Sequence, residues 1–191
     1  MKKTILLFLF FLLLFTSCKN QSGVLNINQV IQNSNEIVIR YSEKMKTFWV
    51  INIPFQFEIS NNSDETEKFV TCSYIYNNQL GRHSKLYIDE GRALIRNNQN
   101  DIKTIESGQK KTYVIYSQHI IDTIKYNKTF FKSYLDKVKG RNEDTLLVGT
   151  LEQFKSKHPQ LVKSLIEGDS LNFEFLTSEN KFKKPIKIPL N

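Results

Sequence analysis

The residue types that carry most protein chemistry are few in this chain and poorly spaced for it. Three histidines, His83, His119 and His158, lie far apart. None forms the His-x-x-x-His or His-Glu-x-x-His spacing that sets two imidazoles on one helix face to hold zinc. Asp64-Glu65-x-Glu67 gathers carboxylates. It lacks the alternating acidic positions and the glycine of a calcium loop, so it reads as a solvated turn. No Gly-x-Ser-x-Gly elbow, phosphate-binding glycine loop or Cys-x-x-Cys occurs. The expectation is a protein with no catalytic residue, no metal and no cofactor. Three patterns with chemistry remain: a cysteine behind an apolar run, three Asp-initiated tripeptides, and a cluster of lysines.

The cysteine is Cys18. Met1-Lys2-Lys3 is basic, Ile5 to Phe15 is unbroken apolar sequence, and Thr16-Ser17 are small. That is the order of a secretory signal peptide. The apolar run falls well short of the roughly 20 residues a membrane-crossing helix needs. Phe15-Thr16-Ser17-Cys18 resembles a bacterial lipobox, with Phe15 where leucine is usual. The resemblance implies cleavage before Cys18 and lipid on its sulfur, with each buried methylene contributing about 0.8 kcal/mol of anchoring. Residues 1–17 are then the signal and 18–35, rich in Asn, Gln and Ser, a tether. If Cys18 carries lipid, Cys72 is left without a disulfide partner. Within the strand-like Phe69–Tyr76, Val70, Cys72, Tyr74 and Tyr76 fall on one face. Cys72 reads as a buried thiol packing as a small hydrophobe.

The tripeptides are Asp122-Thr123-Ile124, Asp144-Thr145-Leu146 and Asp169-Ser170-Leu171, and they take three of the chain's seven aspartates. They resemble the O-glycosylation sequon of Bacteroidota envelope proteins, which implies Thr123, Thr145 and Ser170 as acceptors. Turn and cap chemistry explains the same residues equally well, since Asp and Ser favour both.

The lysine cluster lies between Lys125 and Lys163. Nine Lys or Arg stand there against four Asp or Glu, a net +5. The whole chain carries +8, and Lys2 and Lys3 leave with the signal. Most of the remaining excess therefore sits in this segment. Lys125, Lys128, Lys132, Lys137, Lys139, Arg141, Lys155 and Lys157 form a candidate surface for anionic headgroups or an acidic partner. A solvated helix face gives the same pattern. Export excludes nucleic acid as the partner.

The elements that must position these residues follow from periodicity. From Glu36 the period is two: Ile37, Ile39 and Tyr41, then Phe48 to Ser60, then Phe69 to Tyr76. Pro54 removes a ladder donor, which predicts a bulge or a change of partner strand. Ser84–Ile95 predicts a hairpin around Asp89-Glu90-Gly91, and Asp101–Glu106 with Lys110–Ser117 a second strand pair. From His119 to Leu135 apolar residues fall at mostly helical spacing, with Gly140 as a stop. Thr150-Leu151-Glu152-Gln153 is a capping box opening a helix, and Pro159 either breaks that helix or starts a new one as its first residue, with Gly168 as the stop. Leu171–Phe175 and Ile186–Leu190 close the chain as strands, the last an edge because of Pro185 and Pro189. The fold class predicted is mainly β: an antiparallel sandwich over 36–191 with a helical insertion at about 118–168, before the last two strands.

Pro54-Phe55-Gln56-Phe57-Glu58-Ile59-Ser60-Asn61-Asn62-Ser63 and Ile105-Glu106-Ser107-Gly108-Gln109-Lys110-Lys111-Thr112-Tyr113-Val114-Ile115 carry a strand–turn–strand texture. It resembles the immunoglobulin-like accessory modules of bacterial envelope proteins. With the signal, this implies a non-enzymatic lipoprotein anchored through Cys18 and binding another envelope protein; Lys19-Asn20-Gln21-Ser22, without an acidic run after the cysteine, points to the outer membrane facing the periplasm. An immunity protein that neutralises a toxin, and an enzyme with an unfamiliar site, are the alternatives.

Overall fold

The computed structural model describes residues 25–31, 34–77, 83–98, 101–138 and 144–190. Cys18, the signal, Lys139, Gly140 and Arg141 lie outside them. The described chain is a sandwich of two antiparallel sheets with three helices. Its strands are β1 Leu25–Val30, β2 Glu36–Ser42, β3 Thr47–Asn61, β4 Glu67–Ile75, β5 Lys85–Asp89, β6 Leu94–Asn97, β7 Lys103–Ile105, β8 Lys110–Ile120, β9 Thr145–Thr150, β10 Ser170–Leu176 and β11 Ile186–Pro189. The helices are α1 Lys132–Val138, α2 Leu151–Lys157 and α3 Pro159–Ile166. The large sheet runs β6-β5-β8-β3-β2-β9, with β1 also paired to β3, and the small one β11-β10-β4-β7. This seven-and-four division differs from the four-and-three of a constant-type immunoglobulin domain.

Strand β3 is the spine. Its inward residues Ile51, Ile53, Phe55, Phe57 and Ile59 are fully buried. Along its second half they meet the small sheet: Phe57 packs against Phe173, Phe55 against Tyr74, and Tyr113 of β8 against Phe69, each ring pair within 6.0 Å. Along its first half the cover is helical, with Phe48 edge-on to Phe131 at 5.5 Å. Helices α2 and α3 bury Leu151, Phe154, Leu161, Val162, Leu165 and Ile166 in the same core.

Pro54 does not break β3, which pairs with β8 without interruption from Val50 to Ser60. On its other side the partner changes. β2 pairs as far as Asn52, and β1 begins at Gln56. Gln118 donates its backbone N–H to the Tyr76 hydroxyl, so Asn52–Gln118 is a non-hydrogen-bonded pair. By alternation the nitrogen of Pro54 faces the seam between β2 and β1, where no ladder bond is demanded.

Five expectations are corrected. Leu25–Val30, read as tether, is a strand, because Leu25 and Ile27 pack against the core. His119 and Ile120 end β8 and do not open a helix, since Ser117 and His119 continue its inward face. The insertion also holds a strand, β9, whose Leu146 and Val148 are buried beside β2. Strands β7 and β8 are not partners: β7 joins β4, while β8 joins β3 and β5. In β4 a bulge at Val70 turns Phe69 inward, so Phe69, Cys72 and Tyr74 share the buried side and Val70 does not.

Candidate functional site

The lysine-rich segment folds into a cap over one end of the sandwich. Asp122 starts it, its carboxylate accepting the N–H groups of Ile124 and Lys125 at 3.0 and 3.2 Å. Thr150 and Gln153 form the expected capping box, and Pro159 opens α3 at its first turn. Under the helices lies an aromatic cluster. Phe130, Tyr134 and Phe154 surround His158, whose Nε2 is 2.9 Å from the Tyr134 hydroxyl. Burial first, and Lys157 second, push the His158 pKa down. Imidazole is thereby kept neutral beside the lysines. Tyr126 ties the entry turn to α3 through the Gln160 carbonyl and the Ser164 hydroxyl.

On this scaffold Lys125, Lys128, Lys132, Lys137, Lys155 and Lys157 are all exposed. None forms an ion pair with another described residue. Lys125 lies 5.2 Å from the Tyr126 ring centre and Lys137 6.0 Å from that of Tyr134, so aromatic faces hold two of the six. The structure thus gathers six of the eight predicted basic residues on one structural unit, spread over turn, α1 and α2, while Lys139 and Arg141 lie outside the described residues.

Two depressions border it. One, of about 400 Å³, opens at the β1–β2 seam and is lined by Val30, Ile31, Pro54, Leu151, Glu152 and Lys155 among others. The other, of about 450 Å³, is an open hollow lined by Met45, Thr47, Thr123, Asn127, Lys128 and Thr129.

The three tripeptides part company. Thr123 is half-buried beside an Ile124 that is 90% exposed, so this turn stands out from the surface. Thr145 is half-buried at the start of β9. Ser170 is 2% exposed and offers a transferase no surface in the folded chain, a correction to its reading as an acceptor. Its neighbour Asp169 explains the motif there. Asp169 accepts from the Tyr74 hydroxyl at 2.8 Å and from the Asn77 N–H at 2.7 Å, and its carbonyl accepts from Leu190. Burial raises its pKa against those two donors. One residue, through its carboxylate and its backbone carbonyl, thus pins the end of β4, the turn after α3 and the closing segment.

That pin belongs to a polar cluster between the sheets that the sequence did not reveal. Ser117 Oγ is 2.8 Å from His119 Nε2, with Tyr74 and Tyr76 edge-on to the imidazole. A Ser–His pair is the pair of a nucleophile and its base. Both residues are fully buried, so no substrate reaches them in this conformation. Burial depresses the His119 pKa to about 4 and raises that of Tyr74. The available signal was the alternation Tyr113, Ile115, Ser117, His119, masked by two polar residues at its end.

Cys72 is buried, and desolvation raises its pKa against the opposing charge of Lys103. Lys103, itself 4% exposed, donates to the carbonyls of Val70 and Asp101 at 2.6 Å. It thereby satisfies the carbonyl that the β4 bulge displaces. Among the described residues no three His, Cys, Asp or Glu are grouped to hold a metal, and no helix is long and apolar enough to cross a membrane. Compared with protein-family models, curated proteins and solved structures, the chain matches none of them.

Proposed function

We propose that this chain is a non-enzymatic binding module of a bacterial cell envelope, held to a membrane by lipid on Cys18. Its lysine cap docks the acidic surface of another envelope protein. The observation that carries this reading is the cap: six exposed lysines that form no ion pair with a described residue, on a turn and helices fixed to the sandwich by buried aromatic rings. Lysines serving solubility alone need no such uniform sign.

The direction of the chain favours protein over headgroups as the target. Leu25 pairs with Asn61 at one end of β3, whereas the cap packs on Phe48 near the other. At about 3.3 Å per residue the two ends stand roughly 40 Å apart. The seven residues from Cys18 to Leu25 reach at most about 24 Å. A domain standing on this tether presents the cap away from the bilayer.

The test is crosslinking and recovery of the tagged, lipidated protein from its native envelope at low and high salt. A dominant acidic protein, lost at high salt and lost when the six cap lysines become glutamine, is the expected result. Its identity separates an accessory role from toxin neutralisation. Recovery of the same proteins by the glutamine variant sinks the reading. Cys18→Ala should move the protein from the membrane to the soluble fraction, and retention in the membrane sinks the anchor.

A further inference from the structure

We infer that the edge of β9 that no described strand covers is where a partner docks, by adding an extended strand of acidic and aliphatic character to the large sheet. This rests on the reading of the lysine cap as a protein-binding surface and names the form of its partner.

The first ground is the chemistry of the edges. β6 presents Arg96, β7 is three residues long and carries Lys103, and β11 carries Lys187 and Pro189. Charges, prolines and shortness are how sheets blunt their edges against other chains. β1 carries Asn26, Asn28 and Gln29. β9 reads Thr145-Leu146-Leu147-Val148-Gly149-Thr150, with no charge and no proline. Leu147 is 59% exposed on it.

The second ground is the direction of its backbone groups. Asn52 and Gln118 form a non-hydrogen-bonded pair, so the peptide groups of Asn52 point at β2 and bond to Val38. Val38 therefore turns its own groups away from β9, and its opposite number Leu147 turns N–H and C=O outward. Thr145, opposite Arg40, does the same. Leu146 holds the ladder to Ile39. The outer side of β9 is thus a row of donors and acceptors at strand spacing, ready for main-chain pairing.

The third ground is charge. Side chains of an added strand alternate between two faces. On the outer face they lie beside Leu147, which suits an aliphatic residue. On the inner face they lie towards α1, which packs against β9 and carries Lys132 and Lys137, neither ion-paired with a described residue, against one acid, Asp136, which is already engaged. Acidic residues suit that side. A second copy of this chain would bring its own cap, net +5 over 125–163, against the first. The occupant is therefore a different protein.

The test places a photo-crosslinking side chain at Thr145 of the full-length lipidated protein in its native envelope, and in a control at Ile95 on β6. The expected result is one adduct from Thr145 and none from Ile95, with the attached peptide mapped to an extended segment alternating acidic and aliphatic residues. Leu147→Pro removes one outward donor and leaves Leu146 on its ladder, and Leu147→Glu sets a charge beside the aliphatic side chains of the incoming strand. Each should cut adduct yield roughly tenfold. Leu147→Glu, at an exposed position, keeps the test open if the proline variant misfolds. No adduct, an equal adduct from Ile95, an adduct with a second copy, or a yield indifferent to both Leu147 variants overturns the inference. If the six lysine-to-glutamine changes abolish the adduct while both Leu147 variants keep it, strand addition fails and the lysine cap stands. If neither set matters, both fail.

Discussion

The inner face of the large sheet is covered in two different ways. Over the second half of β3 lies another sheet, stitched by ladders among β11, β10, β4 and β7 and pinned by Asp169 to Tyr74, Asn77 and Leu190. Over the first half lies the helical cap, held by side chains, with Phe131 on Phe48 and Phe154 and Val162 in the shared core. The sheet-covered half gathers strands from distant parts of the sequence, so its contacts form together or not at all. The cap is nearly contiguous in sequence and leans on the sheet through rings. The same hydrophobic chemistry thus supports a cooperative body and a more separable attachment, and the six lysines that pair with no described acid sit on the attachment.

Matched truncations test this contrast hardest. Phe173→Ala and Phe131→Ala each remove a fully buried ring and should cost about 3–5 kcal/mol. Phe173→Ala should lower the urea midpoint of the whole domain. Phe131→Ala should strip hydrogen-exchange protection from α1, α2 and α3 first and leave the β3–β8 amides protected. Simultaneous loss in both variants would erase the distinction.

Acid sharpens it further. An unfolded histidine takes up a proton near pH 6.5, whereas His119, shut between Ser117, Tyr74 and Tyr76, takes one only near pH 4. Stability present above pH 6.5 is therefore lost as the pH falls towards 4, by roughly 3 kcal/mol. His158 in the cap acts with the same sign. Asp169, its pKa raised, acts against both in the lower part of that range, because the folded state then binds the proton first. Urea midpoints between pH 7 and 4.5 should fall steeply for the parent, flatten for His119→Asn and change little for His158→Asn. A His119→Asn variant with the parent's slope would contradict the assignment.

Smaller effects belong to the cap. Thr150→Ala removes the side-chain half of the capping box and should cost about 1 kcal/mol, read as a lower melting temperature. Replacing the six cap lysines by glutamine should change stability by no more than about 0.5 kcal/mol per site while abolishing salt-sensitive capture of an acidic partner. A large loss of stability in that variant would make these lysines structural.

Where alternation was clean the fold was readable. Ile37–Tyr41, Phe48–Ser60 and Leu171–Phe175 announce their strands, and Thr150–Gln153 and Pro159 their helices, because local rules and burial agree there. The errors fall where tertiary contacts overrule the local pattern. Leu25–Val30 looks like linker because its polar residues face outward and only its pairing with β3 makes it a strand. β9 hides between two helices because six residues are too few for periodicity to speak. The pairing of β7 with β4 depends on which sheet receives the chain after Ile105, which no neighbouring residue encodes. Of the candidate site, the lysines were legible as charge. The sealed Ser117–His119 pair and the open edge at Leu147 were not, since both depend on which strand lies alongside.

The seam at Pro54 has a mechanical consequence. β1 lies along β3 through six consecutive pairs, from Leu25↔Asn61 to Val30↔Gln56, and stops where β2 takes over. Tension applied at Leu25 and resisted at the cap runs parallel to both strands. It loads the β1–β3 bonds in shear, all at once, and not one after another as in an unzipping hairpin. β3 then passes the load through Pro54 to its bonds with β2 without a break in the covalent spine. A domain pulled between its two ends along this axis should yield at a higher force than one pulled across it.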